Sequence, residues 1–255
     1  MKQALWIAKR ELGAFFFSPV FYVVTTVFLF IYSYMFFSIL NFFSFQSFQA
    51  AQIQQMGQTL NVNQFVIEPS LSNMAVTLLF IIPLITMRAF AEEKKNKTFP
   101  LLLSSPVHMR EIIAGKFLGC LGVVAVMLLL SSYSMILVVW LGTPEIGPIF
   151  SGYLGVLLMA SCYIALGIFA SSVTDNQIVA AVISFGFILF MWIIGWAAQA
   201  ASPALGEFLN YISLVGHMES FLKGVIDSSD VIYYLSFIAF GLFLTYRVVE
   251  SRRWS

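Results

Sequence analysis

The chain has 255 residues, of which 60% are apolar and 10% charged, and its net charge is +1; a soluble domain carries roughly 45–50% apolar and about 25% charged residues. A globule of this length has too little interior to hide that much apolar surface. Together with a mean hydropathy of +0.91, this excludes a soluble enzyme, a secreted disulfide scaffold and a disordered chain, and leaves a membrane protein.

Residues 1–18 read as an amphipathic helix. Ala4, Leu5, Ala8, Leu12, Phe15 and Phe16 gather on one face, with Lys2, Gln3, Lys9, Arg10 and Gly13 opposite, the pattern of an elbow lying on a leaflet. Pro19 permits a turn into the bilayer. No Ala-x-Ala cleavage pattern follows the first apolar run, which reads as a retained span. A spanning helix needs roughly 20 apolar residues, and six segments qualify: about 19–40, 71–90, 112–141, 150–173, 178–201 and 231–249. The second is short and recruits Arg88, whose stem can snorkel; Pro83 is expected to kink it. The expected fold is an all-α polytopic membrane protein, one transmembrane domain over residues 1–255.

Charge orients the spans. Of the 13 basic residues, 12 lie before span 1, between spans 2 and 3 or after span 6, and only Lys223 lies on the other side. The positive-inside rule predicts that both termini and the loop between spans 2 and 3 face the cytoplasm, as for a multi-pass protein of the inner membrane.

Residues 41–70 interleave Gln46, Gln49, Gln52 and Gln55 with Phe42, Phe43, Phe45 and Phe48. A periplasmic helical hairpin acting as a structural cap is expected there, the alternative being a rim for a periplasmic or membrane accessory protein. Cys120 and Cys162 sit in apolar runs as packing residues, and His108 and His217 stand far apart without metal-ligand spacing.

The most informative stretch is 91–115, AEEKKNKTFPLLLSSPVHMREIIAG. Span 2 continues into water through Glu92–Lys97, and Thr98 is placed to cap a short helix containing Pro100. Leu101, Leu102 and Leu103 then form an apolar knob with no bilayer to enter, before Ser105-Pro106 starts the next helix. Such a knob is a docking surface, or it folds back beneath its own helices. In the tight turn between spans 4 and 5, Asp175 and Asn176 are expected to cap helices. Residues 202–230 hold amphipathic stretches too short to span, where His217, Glu219, Lys223 and Asp227 are candidates to pair.

No G-x-x-x-x-G-K-[ST] loop is present: the Gly115-Lys116 pair is followed by Phe117, and position 110 is arginine. No intramembrane carboxylate pair, HExxH or serine–histidine arrangement suggests a protease or proton pump. The chain reads as a non-enzyme that binds no cofactor or metal, and nothing in it points to nucleic acid.

Arg88, Glu92-Glu93-Lys94, Thr98, Leu101-Leu102-Leu103, Ser104-Ser105-Pro106 and Gly115-Lys116 follow the order of the loop after span 2 in the ABC-2 type permeases, the membrane subunits of ATP-driven transporters, which this sequence resembles over essentially its whole length. Lys97 stands where that family usually has glycine. The end, from Leu214 through Gly224-Val225-Ile226-Asp227 to Glu250-Ser251-Arg252-Arg253-Trp254, is similar to the branch containing gliding-motility permeases. The resemblance implies an exporter with an elbow helix, a cytoplasmic coupling helix between spans 2 and 3, and re-entrant helices between spans 5 and 6. It implies a cytoplasmic ABC ATPase partner that holds ATP and Mg, and a second permease, identical or homologous, meeting this one through spans 1, 2 and 5. Glu92, Glu93, Thr98, Leu101, Leu102 and Pro106 are then the ATPase-coupling residues, and His217, Glu219, Lys223 and Asp227 belong to an outer gate. The alternatives are a membrane scaffold or assembly factor that recruits a cytoplasmic protein without transporting, and a polytopic membrane enzyme.

Overall fold

The structure, a computed structural model, describes residues 2–52, 61–99, 107–142 and 144–251, and every regular element among them is helical. Helix α1 (Lys2–Phe16) turns through Phe17-Ser18 into α2 (Pro19–Gln52). A π-helical turn (Asn63–Ile67) runs into α3 (Glu68–Thr86), and α4 (Arg88–Lys95) follows with only Met87 between. Then come α5 (Met109–Ser131), α6 (Tyr133–Leu141), α7 (Ile146–Val173) and α8 (Gln177–Ala200). Two short helices, α9 (Pro203–Ile212) and α10 (Met218–Leu222), precede α11 (Ser228–Ser251). Six helical stretches are long and apolar enough to cross a membrane: Pro19–Gln49, Asn63–Lys95, Met109–Leu141, Ile146–Val173, Gln177–Ala198 and Ser228–Ser251.

These are the six spans expected, but two are longer than expected. Helix α2 has 34 residues, about 50 Å at 1.5 Å per residue, against about 30 Å of hydrocarbon. No glycine or proline interrupts the chain between Pro19 and Gln52, so nothing stops the helix at the membrane edge. The Phe- and Gln-rich segment 41–52 is therefore an extension of span 1, and residues 61–67 extend span 2 in the same way. Positions 53–60 lie outside the described residues.

Span 4, α7, is the hub. It packs against α3, α4, α5, α8, α10 and α11 and is buried along much of its length. Span 1 contributes one stacked ridge to the bundle, Phe28, Tyr32 and Phe36, with ring centroids 6.1 and 6.3 Å apart. Its other side exposes Tyr22, Phe30, Tyr34 and Phe37.

Helix α1 does not turn its small apolar face away from the protein. It packs along α5, where a Cβ on Gly115 would lie 2.6 Å from Ile7 Cβ and one on Gly119 would lie 2.7 Å from Glu11 Cβ. Two missing side chains on α5 thus let the helices touch backbone to side chain, burying Ala4, Ala8 and Phe15 while Leu5, Trp6 and Phe17 stay exposed.

The interruption of span 2 also differs from expectation. Pro83 lies within α3, yet the break falls at Met87, whose amide still bonds Pro83 O at 2.9 Å. The cause is Ser171 of α7. Its hydroxyl accepts from the amides of Phe90 (3.0 Å) and Ala91 (3.1 Å) and donates to Met87 O at 2.9 Å. A side chain inserted into the backbone ladder is a recognised origin of a helix break.

Candidate functional site

The charged residues of the 91–115 loop and its neighbours form a clasp at the end of the bundle where α1, α4 and α5 meet. Lys116 of α5 is at its centre, its side chain 3% exposed, with Nζ 3.2 Å from Glu11 Oε1 and 2.7 Å from Glu93 Oε1. The same ammonium lies 5.2 Å from the Phe90 ring centroid. One cation therefore ties α1 and α4 to α5. Lys116 entered the sequence reading only as the end of the loop motif and Glu11 not at all, because nothing local marks either as one half of an ion pair.

A second lysine fixes the other side of α4. Lys94, its side chain 4% exposed, donates to the carbonyl of Ser172 at the end of α7 and lies 3.6 Å from Asp175. Asp175 thus contacts α4 across the bundle, whereas Asn176 is the expected cap, accepting from Ile178 N at 2.9 Å.

Helix α4 ends in a Schellman turn. Lys97 N donates to Lys94 O at 3.1 Å and Thr98 N to Glu93 O at 2.9 Å, while Lys97 adopts φ +57°. This is the C′ position, where the left-handed backbone favours glycine. The glycine usual in the resembled family thus has a backbone reason, and Lys97 adopts the same conformation at a cost of about 1 kcal/mol. The Thr98 hydroxyl donates back to Glu93 O at 3.2 Å. Of the predicted coupling residues, Glu92 is exposed, Glu93 is turned inward onto Lys116, and Thr98 closes the turn. Leu101, Leu102 and Pro106 lie outside the described residues.

At the opposite end of the bundle, His217 joins α10 to α11. Its Nδ1 lies 2.7 Å from Asp230 Oδ1, its Nε2 lies 2.9 Å from Tyr211 O, and its ring stacks on Tyr233 at 3.9 Å between centroids. Ser220 bonds the other Asp230 oxygen, and Tyr234 donates to Leu214 O at 2.7 Å. The four predicted residues therefore divide. His217 pairs with Asp230; Glu219 and Lys223 form an exposed pair at 3.7 Å; Asp227 caps α11, accepting from Ser229 N at 2.8 Å. The first three border an open groove of about 560 Å³. Because His Nε2 is committed to a carbonyl and Ser220 bonds the carboxylate, the trio is not arranged as a nucleophile and base.

Between the two ends, hydroxyls from three spans meet near the α5–α6 break at Ser132. Tyr32 and Ser134 are 2.6 Å apart, Ser33 and Tyr133 2.6 Å, and Ser131 and Tyr153 3.2 Å. Tyr32 and Ser134 are fully buried, and in hydrocarbon such groups must find partners within the protein. No group of three metal-ligating side chains occurs among the described residues.

The sequence matches the family described as ABC-2 family transporter protein over residues 5–249. The chain belongs to that family. It is thus a membrane transport component of an ABC transporter, a multi-pass protein of a family whose permeases work with an ABC ATPase. No curated protein matches it. For an ABC-2 permease, the clasp and Schellman turn lie in the segment whose residues carry the resemblance, and the α9–α10 turns lie between the last two spans.

Proposed function

We propose that this permease is the membrane subunit of an exporter in the inner membrane, driven by ATP that a separate cytoplasmic ATPase binds with Mg and hydrolyses. On this reading the chain has no catalytic or cofactor site of its own. The basic end faces the cytoplasm, α1 lies on the inner leaflet, and α9 and α10 dip into the outer leaflet as part of the outer gate. Two permeases, identical or homologous, enclose the pathway, and the exposed aromatic side of span 1 supports placing it at their contact. The C-terminal similarity supports the gliding-motility branch.

One observation carries the coupling role: α4 continues span 2 beyond the bundle and is held on both sides, by Lys116 and by Lys94 with Ser171. A lever held this way passes a push from the leucines into α3, α5 and α7 together. Leu101 and Leu102 fill an apolar cleft on the ATPase, each burial contributing roughly 1.5–3 kcal/mol. Exposed Glu92 meets basic groups there, adding orientation more than affinity; Glu93 and Thr98 hold the lever's end, and Pro106 belongs to the same coupling segment.

The test is co-purification. Leu101→Asp with Leu102→Asp is expected to lose the ATPase while the permease stays inserted and monodisperse, and Glu92→Gln to retain it. A double-aspartate variant that holds its ATPase as tightly as wild type would show that the leucines pack beneath their own helices.

A further inference from the structure

Beside the clasp, α1, α4 and α5 enclose a hollow of about 230 Å³ lined by Glu11, Phe15, Ser18, Arg88, Glu92 and Lys116 among others. Lys116 is matched by its two carboxylates. Arg88 and Glu92 are not matched: neither forms an ion pair among the described residues. They stand four apart on one helix, a spacing at which opposite charges ordinarily pair. Instead the Arg88 guanidinium lies 4.0 Å from the Phe15 ring centroid and donates to Ser18 Oγ at 3.3 Å. A cation and an anion thus line one hollow without neutralising each other.

The surroundings say where such a hollow sits. The elbow that walls it carries exposed Trp6 and ends at Phe17, which is 92% exposed, so an interfacial α1 places the hollow at headgroup depth. Phe15 and Arg88 also border an apolar surface with Val20, Val24 and Leu84 of the first two spans. We propose that the hollow binds the phosphoethanolamine head of an inner-leaflet phospholipid, with phosphate on Arg88 and ammonium on Glu92. A guanidinium offers a phosphate two parallel hydrogen bonds, and a primary ammonium has three donors for a carboxylate. A glycerol head brings no cation to Glu92, and a choline head brings no N–H donor. The proposal rests on the reading of α1 as an interfacial helix.

The purified full chain, stripped of lipid, is titrated with phosphatidylethanolamine, phosphatidylglycerol and phosphatidylcholine of matched acyl chains, with bound lipid read by native mass spectrometry. Phosphatidylethanolamine is expected to bind about tenfold tighter than the other two. Glu92→Gln, an exposed change, removes the partner of the ammonium and is expected to abolish that preference, while Arg88→Gln, which removes the partner of the phosphate shared by all three lipids, weakens all three and Arg88→Lys recovers part of the loss. Glu92→Gln decides the matter should Arg88→Gln not fold. Equal binding of the three lipids by the wild-type chain, or a preference that survives Glu92→Gln, overturns the proposal. Soluble glycerophosphoethanolamine that binds as tightly as the lipid overturns the lipid as occupant. A nitroxide on Phe17→Cys reports separately on α1: a water-exposed label rejects the interfacial reading, whereas a label at headgroup depth without lipid preference rejects the site alone.

Discussion

Lys116 shows how one buried charge is made tolerable. Taking an ammonium out of water costs several kcal/mol, and two carboxylates with an aromatic face offset it. Deleting the cation strands Glu93, whose Oε2 is already buried without a partner. Lys116→Met is therefore expected to cost about 3 kcal/mol and to lower the melting temperature in detergent by roughly 5–10 °C. An unchanged melting curve would mean that water already reaches the clasp. Lys97 is the complementary case, an exposed residue that stands against its backbone preference at a turn.

At the scale of elements, the join between α3 and α4 matters most. Pro83 removes a donor, but Ser171 places the break, because only a hydroxyl from α7 can take two amides and return a proton to Met87 O. Span 2 and span 4 are thereby locked at the foot of α4. With Ser171→Ala, the amides of Phe90 and Ala91 lose that acceptor, and their hydrogen exchange is expected to accelerate about tenfold, as for one lost hydrogen bond. Exchange at the wild-type rate would mean that the ladder reseals and the hydroxyl is dispensable. The α1–α5 seam follows the same logic: its position depends on the bare backbones of Gly115 and Gly119, not on the amphipathicity of α1 alone.

For the whole molecule, the orientation rests on charge, and it can be checked directly. Cysteines introduced as Lys97→Cys and Trp254→Cys are expected to label only from the cytoplasm, and Gln55→Cys only from outside. The native Cys120 and Cys162 are buried, so background labelling is low. Labelling of position 97 from outside would invert the permease and remove the docking argument with it. Spans 1, 5 and 6 keep much of their surface uncovered within one chain, whereas spans 2 and 4 are largely enclosed.

Length, composition and the spacing of apolar runs were enough to determine six spans and the all-helical class, because hydrocarbon imposes a minimum helix length and permits no unpaired backbone. The spread of basic residues yielded an orientation for the same reason: charge is read locally, one loop at a time. The loop order from Arg88 to Lys116 carried the family resemblance, and Thr98, Glu93 and Lys97 prove to share one turn. What the sequence left open depends on which helix faces which. Glu92 and Glu93 are neighbours in sequence, yet only packing against α5 sends one outward and the other onto Lys116. His217 was visible as a polar residue between the last two spans, but its partner Asp230 stands 13 positions on, beyond any helical spacing, and is brought to it by α10 and the turn that follows it. Nothing in the sequence singles out Ser171 or Tyr32; tertiary contact makes each the partner of a group far along the chain, and no local pattern encodes that distance.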